Sequence, residues 1–307
     1  MIKPIDFVKA LNKTKIRFVT GIPDSLLKEV CGCIDKRFGK NKHIIATNEG
    51  SAVALSIGHY LATKSPALVY MQNSGLGNSF NPIVSLADPK VYGIPIILVI
   101  GWRGEIAGYG KQIHDEPQHK KQGLITISQL KTVGIPFRII NNRTKKIKII
   151  LKDLKNLAIK RKGPVAIIVR KKTFSSFMIS KKSKDKNYIS REQAIKEIIK
   201  KLPKNLIVVS TTGMISRELF ELRKMNKQNS NTDFLTVGAM GHANQIAAGI
   251  ALAKPQKKIL CIDGDGSVLM HMGSLAISSQ FPNLTHIILN NESHDSVGGQ
   301  PTKGDVI

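Results

Sequence analysis

Cysteine is scarce in this chain. Only Cys31, Cys33 and Cys261 occur in 307 residues, too few for a disulfide framework. Cys31 and Cys33 form a C-x-C pair with no second cysteine pair to complete a zinc site, and read as reduced thiols on a helix. Aromatic residues make up 5%, and no aromatic RNA-binding signature occurs among them. Long apolar runs are also missing. The longest, Ile94 to Ile100 with its flanks, falls far short of the roughly 20 residues that cross a bilayer. The amino terminus, MIKPIDFVKALNKTK, has no apolar run followed by a small-residue cleavage site. A soluble cytoplasmic protein with no membrane partner is therefore expected. Neither G-x-G-x-x-G nor G-x-x-x-x-G-K-[ST] is found, which argues against dinucleotide and Walker-type nucleotide sites.

Acidic residues are the last shortage, 21 against 47 Lys and Arg, for a formal charge of +26. Lysine outnumbers arginine 37 to 10, whereas bidentate reading of phosphates and guanine edges favours arginine. Over half of the excess lies between Arg143 and Lys186. That segment contains an amphipathic stretch, Thr144 to Lys160, whose lysines suit the solvated face of a helix. With no helix-turn-helix, zinc-finger or aromatic RNA-binding signature beside the charge, no specific nucleic-acid partner is expected. A non-catalytic basic nucleic-acid-binding fragment stays open as the alternative from outside enzymology.

What is present is a regular alternation. Short apolar runs occur at Ile16–Thr20, His43–Thr47, Ala67–Gln72, Ile94–Ile100, Phe137–Ile140 and Pro164–Val169. A second series follows at Leu206–Ser210, Phe234–Val237, Lys258–Ile262 and His286–Leu289. Helical patterns lie between them, among them Ser25–Asp35, Glu49–Thr63, Asn78–Leu86, Lys145–Lys160, Arg191–Leu202, Ser216–Lys224, His242–Ala253 and Ser267–Gln280. Continuous apolar strands separated by helices predict an α/β chain of two doubly wound parallel-sheet domains. The polar, lysine-rich stretch near residues 175 to 188 marks the boundary, giving domains over 1–180 and 187–307. Such sheets bind ligands at the carboxyl ends of their strands.

The strand ends carry the chemistry. His43–Thr47 runs into Asn48-Glu49-Gly50, where Glu49 is either an ordinary helix-start carboxylate or a functional one. Ala67–Gln72 runs into Asn73-Ser74-Gly75-Leu76-Gly77-Asn78, whose glycines allow close backbone approach and whose helix start suits an anion. In the second half, Asp263-Gly264-Asp265-Gly266-Ser267 follows one strand and Asn290-Asn291-Glu292-Ser293 the next. Adjacent parallel strands would bring Asp265 and Asn291 together as an oxygen-ligand pair suited to magnesium, with Gly266 and Ser267 donating to the same phosphate.

Gly264-Asp265-Gly266 followed by Asn290-Asn291 resembles the diphosphate-magnesium motif of thiamine-diphosphate-dependent enzymes, and Glu49 resembles their cofactor-activating glutamate. More narrowly, the segments GIPDSLL (21–27), NEGSAVAL (48–55), YMQNSGLGN (70–78), SLADP (85–89), IGWRGE (100–105), DEPQH (115–119), TVGAMGHA (236–243) and HDSVGGQPT (294–302) resemble the phosphonopyruvate decarboxylase family. The resemblance implies a pyrimidine-binding first domain and a diphosphate-binding second domain, with thiamine diphosphate and Mg2+ held between subunits of a homo-oligomer. It implies that Gly238, Met240, Gly264, Gly266 and Ser267 hold the cofactor together with Glu49, and that Asp265, Asn291 and Ser293 hold the metal. Met240 would be the apolar wedge that bends the cofactor. The substrate implied is a small 2-oxo acid bearing a phosphonate, met by Arg103 and the Asn73-Ser74 turn, with Asp24, His114, His119 and His294 as candidate proton carriers. Sulfopyruvate decarboxylation is the nearest enzymatic alternative. The loop from Glu105 to His114 departs from the family pattern. The family also continues beyond the position of Ile307, so the reading includes a carboxyl-terminally incomplete second domain, and a catalytically inactive truncated fragment as an alternative.

Overall fold

A computed structural model describes residues 1–178, 188–203 and 206–307. Contacts divide the chain into two compact units, Met1–Ser180 and Lys181–Ile307. Most of the expected boundary near 175 to 188 lies outside the described residues.

The first unit runs α1 (Pro4–Lys13), β1 (Val19–Gly21), α2 (Lys28–Arg37), β2 (His43–Ile45), α3 (Glu49–Thr63), β3 (Ala67–Gln72), α4 (Leu76–Pro82), β4 (Ile96–Gly101), α5 (Pro117–Thr132), β5 (Phe137–Ile140), α6 (Ile147–Arg161) and β6 (Val165–Val169). Its six strands form one parallel sheet in the order β2-β1-β3-β4-β6-β5. Strands β4 and β6 carry only apolar residues and glycine because both faces of the sheet are covered. Ile97 and Val99 of β4 pack with Phe7, Leu11, Ile34, Leu151 and Leu154 on the side of α1, α2 and α6. Ile96, Leu98 and Ile100 pack with Ala52, Val53, Leu76 and Leu130 on the side of α3, α4 and α5. Helix α6 buries Ile147, Leu151, Leu154 and Ala158, and most of its lysines face water.

The second unit runs α7 (Arg191–Lys200), β7 (Ile207–Ser210), α8 (Met214–Met225), β8 (Asp233–Leu235), α9 (Ala243–Ala253), β9 (Ile259–Gly264), α10 (Asp265–Met270), α11 (Leu275–Ser278) and β10 (Leu284–Leu289), and ends in a small antiparallel pair, Ser293–His294 with Gln300–Pro301. The parallel sheet has the order β10-β9-β7-β8. Val208, Leu260 and Ile262 meet α7 and α8 on one face, and Val209, Ile259 and Cys261 meet the alanines of α9 on the other. The α/β parallel-sheet class expected from the alternation is the one that forms.

One expected element is broken. Ser267–Gln280 is not a single helix: α10 ends at His271 (φ −138°, ψ 47°), a 3-10 turn spans Met272–Ser274, and α11 follows. The backbone at Gly241 (φ +90°) passes so close that a Cβ there would lie 2.6 Å from His271 Cδ2 and 2.9 Å from Met270 Cβ, which holds the chain out of helical continuation. The three cysteines are buried and free. Among the described residues no helix is long and apolar enough to cross a membrane.

Two glycines give stability predictions of opposite sign. A Cβ at Gly123 of α5 would run into the Gly104 backbone carbonyl, and a backbone atom cannot swing aside. Gly123→Ala is expected to destabilise the first unit toward the upper end of the roughly 1–3 kcal/mol of overpacking, beyond the gain in helix propensity. Gly58, exposed on α3 with nothing within 4 Å of a Cβ, should gain about 0.4–1 kcal/mol as Ala. Urea midpoints of the two variants check both signs.

Candidate active site

In the first unit four strand ends converge on named side chains. After β2, Asn48 caps α3 by accepting the Ser51 amide at 2.8 Å, which fixes Glu49 as the first helical residue. Glu49 is 5% exposed. Its Oε2 accepts from Asn78 Nδ2 at 2.8 Å, and its Oε1 faces Gly75, where a Cβ would lie 2.6 Å away. Burial pushes the Glu49 carboxyl up, against the hydrogen bonds from Asn78 and from its own backbone amide.

After β1, Asp24 is fully buried. Its Oδ1 accepts from Gln72 Nε2 at 2.8 Å and its Oδ2 from the Leu26 amide at 3.0 Å. A Cβ on Gly101 would collide with that carboxylate. Burial raises its pKa, opposed by the Gln72 and Leu26 hydrogen bonds and by the nearby Arg103 charge. Gln72 Oε1 in turn accepts the Ser74 hydroxyl at 2.9 Å, so Asp24 orients Gln72 and through it the exposed Ser74.

Asn73 is also fully buried, and its amide joins three elements. Nδ2 donates to the Arg103 carbonyl at 3.0 Å and to Thr126 Oγ1 of α5 at 2.9 Å, and Oδ1 accepts from the Arg103 amide at 3.2 Å. Its polar atoms hold the loop that carries Arg103. The Arg103 guanidinium is heavily engaged: Nε and Nη2 reach Asp115 at 2.9 and 2.5 Å, Nη1 donates to Ser25 at 2.9 Å, and Nη2 lies 3.5 Å from Glu116. Although burial pushes Asp115 up, hydrogen bonds from Arg103 and from the Gly104 and Glu116 amides hold its carboxyl far below the usual range. His119 is buried beside this cluster, its pKa lowered by burial and by Arg103. His114 is exposed at the mouth of a small pocket lined also by Leu26, Trp102, Glu105, Asp115 and Lys171. Asn78, Gln72, Ser25 and Asp115 stand in the quoted motifs without an assigned role. Their partners lie 12 to 78 residues away, which no local pattern reveals.

In the second unit Asp265 opens α10, 3% exposed, and accepts the Thr302 hydroxyl on Oδ2. A Cβ on Gly304 would lie 2.9 Å from that oxygen and 2.5 Å from Asn290 Oδ1, so Asp265 and Asn290 approach the same point of backbone. Asn291 turns elsewhere: its Nδ2 donates to Asp295 at 2.9 Å and its Oδ1 accepts the Ser293 amide at 3.1 Å. Ser267 is buried, shares a hydrogen bond with Thr211 at 2.7 Å and accepts the Gly241 amide at 3.0 Å, tying α10 to the loop that bears Gly238 and Met240. Gly264 caps α10, and its amide donates to Asp263 at 3.0 Å. Gly266 has no Cβ where one would meet Met240 Cε at 3.3 Å and the His294 ring at 3.1 Å. Burial lowers the His294 pKa, against the pull of Asp265. Asp265, Asn290 and the neighbouring carbonyls are hard oxygen donors, and the bare Gly266 backbone beneath Met240 is a cradle that a side chain would fill. Both features fit a diphosphate with a magnesium ion.

These arrangements define an enzyme of the thiamine-dependent class, and sequence comparison places it there. Residues 6–124 match the N-terminal TPP binding domain of thiamine pyrophosphate enzymes, and residues 211–305 match the C-terminal TPP binding domain. A phosphonopyruvate decarboxylase of Streptomyces viridochromogenes is 31% identical over 324 residues, covering 100% of this chain and 78% of that protein. A sulfopyruvate decarboxylase of Methanosarcina acetivorans is 26% identical over 323 residues, covering 96% and 77%. The α subunit of the sulfopyruvate decarboxylase of Methanococcus maripaludis is 37% identical over 164 residues, covering 52% of this chain and 90% of the subunit. The chain belongs to the phosphonopyruvate decarboxylase family of thiamine-pyrophosphate-dependent decarboxylases, which are carbon–carbon lyases.

Proposed function

We propose that this chain decarboxylates 3-phosphonopyruvate to phosphonoacetaldehyde and CO2 as a step in phosphonate biosynthesis, in the cytoplasm, with Mg2+ and thiamine diphosphate bound in a homo-oligomer. The observation that carries the reading is the buried Glu49, whose pKa is raised and whose Oε2 takes the Asn78 donor while Oε1 faces Gly75, which leaves Oε1 able to share a proton. When bound, thiamine diphosphate supplies the electron sink that lets CO2 leave a 2-oxo acid.

The protein's part is positioning and proton control. Glu49 would hold or release a proton at the aminopyrimidine ring nitrogen, a role that suits a carboxyl tuned upward by burial. Met240, the Gly238 carbonyl and the Gly266 backbone would hold the cofactor's shape, with the Gly264 to Ser267 turn receiving the diphosphate. Asp265, with Asn291 and the Ser293 carbonyl, would hold Mg2+, and Asn290 stands beside Asp265 as a further oxygen donor. His294, kept neutral by burial next to Gly266, can accept or return a proton at the reacting end of the substrate. Asp24 acts through Gln72 and Ser74, and His114 is the exposed candidate at the pocket mouth.

Arg103 meets the phosphonate under a constraint. Its bidentate pairing with Asp115 already offsets its charge, so the phosphonate is read by the remaining guanidinium hydrogens, and by Ser74 once its hydroxyl turns from Gln72. Arg103→Lys should lower kcat/KM for phosphonopyruvate by about tenfold or more, because a charge-assisted hydrogen bond contributes roughly 1.5–3 kcal/mol, and should change pyruvate much less. Asp115→Asn should act in the opposite sense on KM, since it removes an anion that competes with the phosphonate. Equal losses on both acids in Arg103→Lys would show that Arg103 only supports its loop.

The sulfopyruvate decarboxylases among the relatives support a second reading in which a sulfonate replaces the phosphonate. Initial rates of the magnesium-loaded protein on phosphonopyruvate, sulfopyruvate and pyruvate separate the two. A higher kcat/KM on sulfopyruvate would replace the first reading with the second, and no turnover of any of the three would remove both.

A further inference from the structure

The face of the second sheet that meets α9 carries three groups the decarboxylase reading does not use. Cys261 and Asp263 stand two residues apart on β9 and so point to the same face. His286 on β10 is paired in register with Cys261, while its neighbours Ile287 and Leu289 belong to the core on the opposite side, under α7 and α8. The Cys261 thiol, an Asp263 carboxylate oxygen and a His286 ring nitrogen all lie within 4.8 Å of one another. His286 Nε2 and Asp263 Oδ2 are 3.5 Å apart.

Burial makes this constellation costly unless a cation completes it. Cys261 and Asp263 are 0% and 1% exposed. His286 Nε2 is buried without a hydrogen-bond partner. Asp263 Oδ1 accepts the Gly264 amide, which leaves Oδ2 as the oxygen that faces the imidazole. A buried carboxylate requires a compensating positive charge, and a buried ring nitrogen requires a partner.

We propose that Cys261, Asp263 and His286 bind one late first-row divalent cation of the zinc type. A sulfur, a nitrogen and an oxygen are the mixed set that such ions take, whereas magnesium and calcium take oxygens alone. Metal–ligand bonds of about 2.0–2.3 Å in a tetrahedron set donor atoms roughly 3.3–3.8 Å apart. The Asp263–His286 separation already falls in that range, and the thiol needs to close by about an ångström or less. On binding, the S–H bond breaks, the sulfur–metal bond forms and the proton passes to solvent. The apolar wall around Cys261, from Val209, Ala243 and Ala247, excludes competing water, and the Gly264 amide orients the carboxylate by donating to Asp263 Oδ1. The ion would bolt β9 to β10 just before the turns that carry Asp265 and Asn290.

Among the described residues a second cluster of this kind, Asp115, Glu116 and His119, already holds the Arg103 cation.

Titration of the chelator-treated full chain with Co2+, under a phosphine reductant, tests the proposal through the near-ultraviolet thiolate-to-cobalt charge-transfer band. The magnesium ligands contain no thiol and cannot produce it. The expected result is a band that saturates near one equivalent, is bleached by Zn2+, persists in Asp265→Ala and disappears in Cys261→Ala and in His286→Gln. Asp263→Asn, which keeps the shape of the side chain, should weaken Co2+ affinity by at least about tenfold even if Cys261→Ala does not fold. No band in the unmodified chain would overturn the proposal and leave His286 and Asp263 as a simple ion pair. A band that survives His286→Gln would equally overturn it, assigning the cobalt to Cys31 or Cys33.

Discussion

Glu49→Gln is expected to keep its fold and its affinity for thiamine diphosphate while losing most of its decarboxylation, on the order of a hundred- to ten-thousandfold in kcat. Glutamine has the same shape, and its carbonyl oxygen can accept the 2.8 Å hydrogen bond from Asn78. It cannot share a proton. Hydrogen–deuterium exchange at the reactive thiazolium carbon reads the affected step directly, and exchange as fast as in the unmodified protein would reduce Glu49 to a helix-start carboxylate. Stability supplies an independent check. Burial raises the Glu49 pKa in the folded state, so the contribution of this carboxyl is fully present below its unfolded value and is lost as pH rises through the folded one. Glutamine carries no such pH dependence. The melting temperature of Glu49→Gln relative to the unmodified chain should therefore climb as pH rises from the ordinary carboxylate range toward neutrality. A flat difference would mean that the carboxyl is not desolvated.

Much of this architecture was legible in the residue order. Ala67–Gln72 and Phe137–Ile140 match the observed strands residue for residue, and Glu49–Thr63 matches its helix, because short, mostly apolar runs and a capped, small-residue helix are local signals. The positions of Glu49 and Asp265 at strand ends follow from the same pattern. What the pattern could not supply were contacts between loops. The Arg103–Asp115 fork spans a turn without a period, and Asn73 is oriented by Thr126, a residue 53 positions away. The break at His271 depends on the close passage of Gly241. A run of helix-compatible residues such as Ser267–Gln280 does not record which neighbour will press on it.

The choice between two adjacent asparagines was equally hidden, and it enters the second large effect. Asp265→Ala is expected to lower magnesium-dependent retention of thiamine diphosphate by about a hundredfold or more, since loss of a group that only hydrogen-bonds a metal ligand already costs about 10–100-fold at many metal sites. The fold should survive. Asp265 is the first residue of a short helix, its carboxylate accepts only the Thr302 hydroxyl among the side-chain hydrogen bonds described, and the β9 core behind it, Ile259 to Ile262, is untouched. Isothermal titration of the cofactor, once with Mg2+ and once with a chelator, reads the effect: the unmodified chain should bind far more tightly with the metal, and Asp265→Ala should bind weakly in both. Affinity unchanged by the substitution in the presence of magnesium would sink the metal-ligand role. Asn290→Ala and Asn291→Ala, measured the same way, divide the remaining ligand between them. Asn290 Oδ1 lies against the Gly304 backbone beside Asp265, whereas Asn291 is oriented by Nδ2 donating to Asp295, while its Oδ1, the atom that would meet the ion, accepts the Ser293 amide. If Asn291 is the ligand, Asp295→Ala should remove the bond that orients its amide and weaken magnesium-dependent binding. If Asn290 is the ligand, Asp295→Ala should leave that binding unchanged.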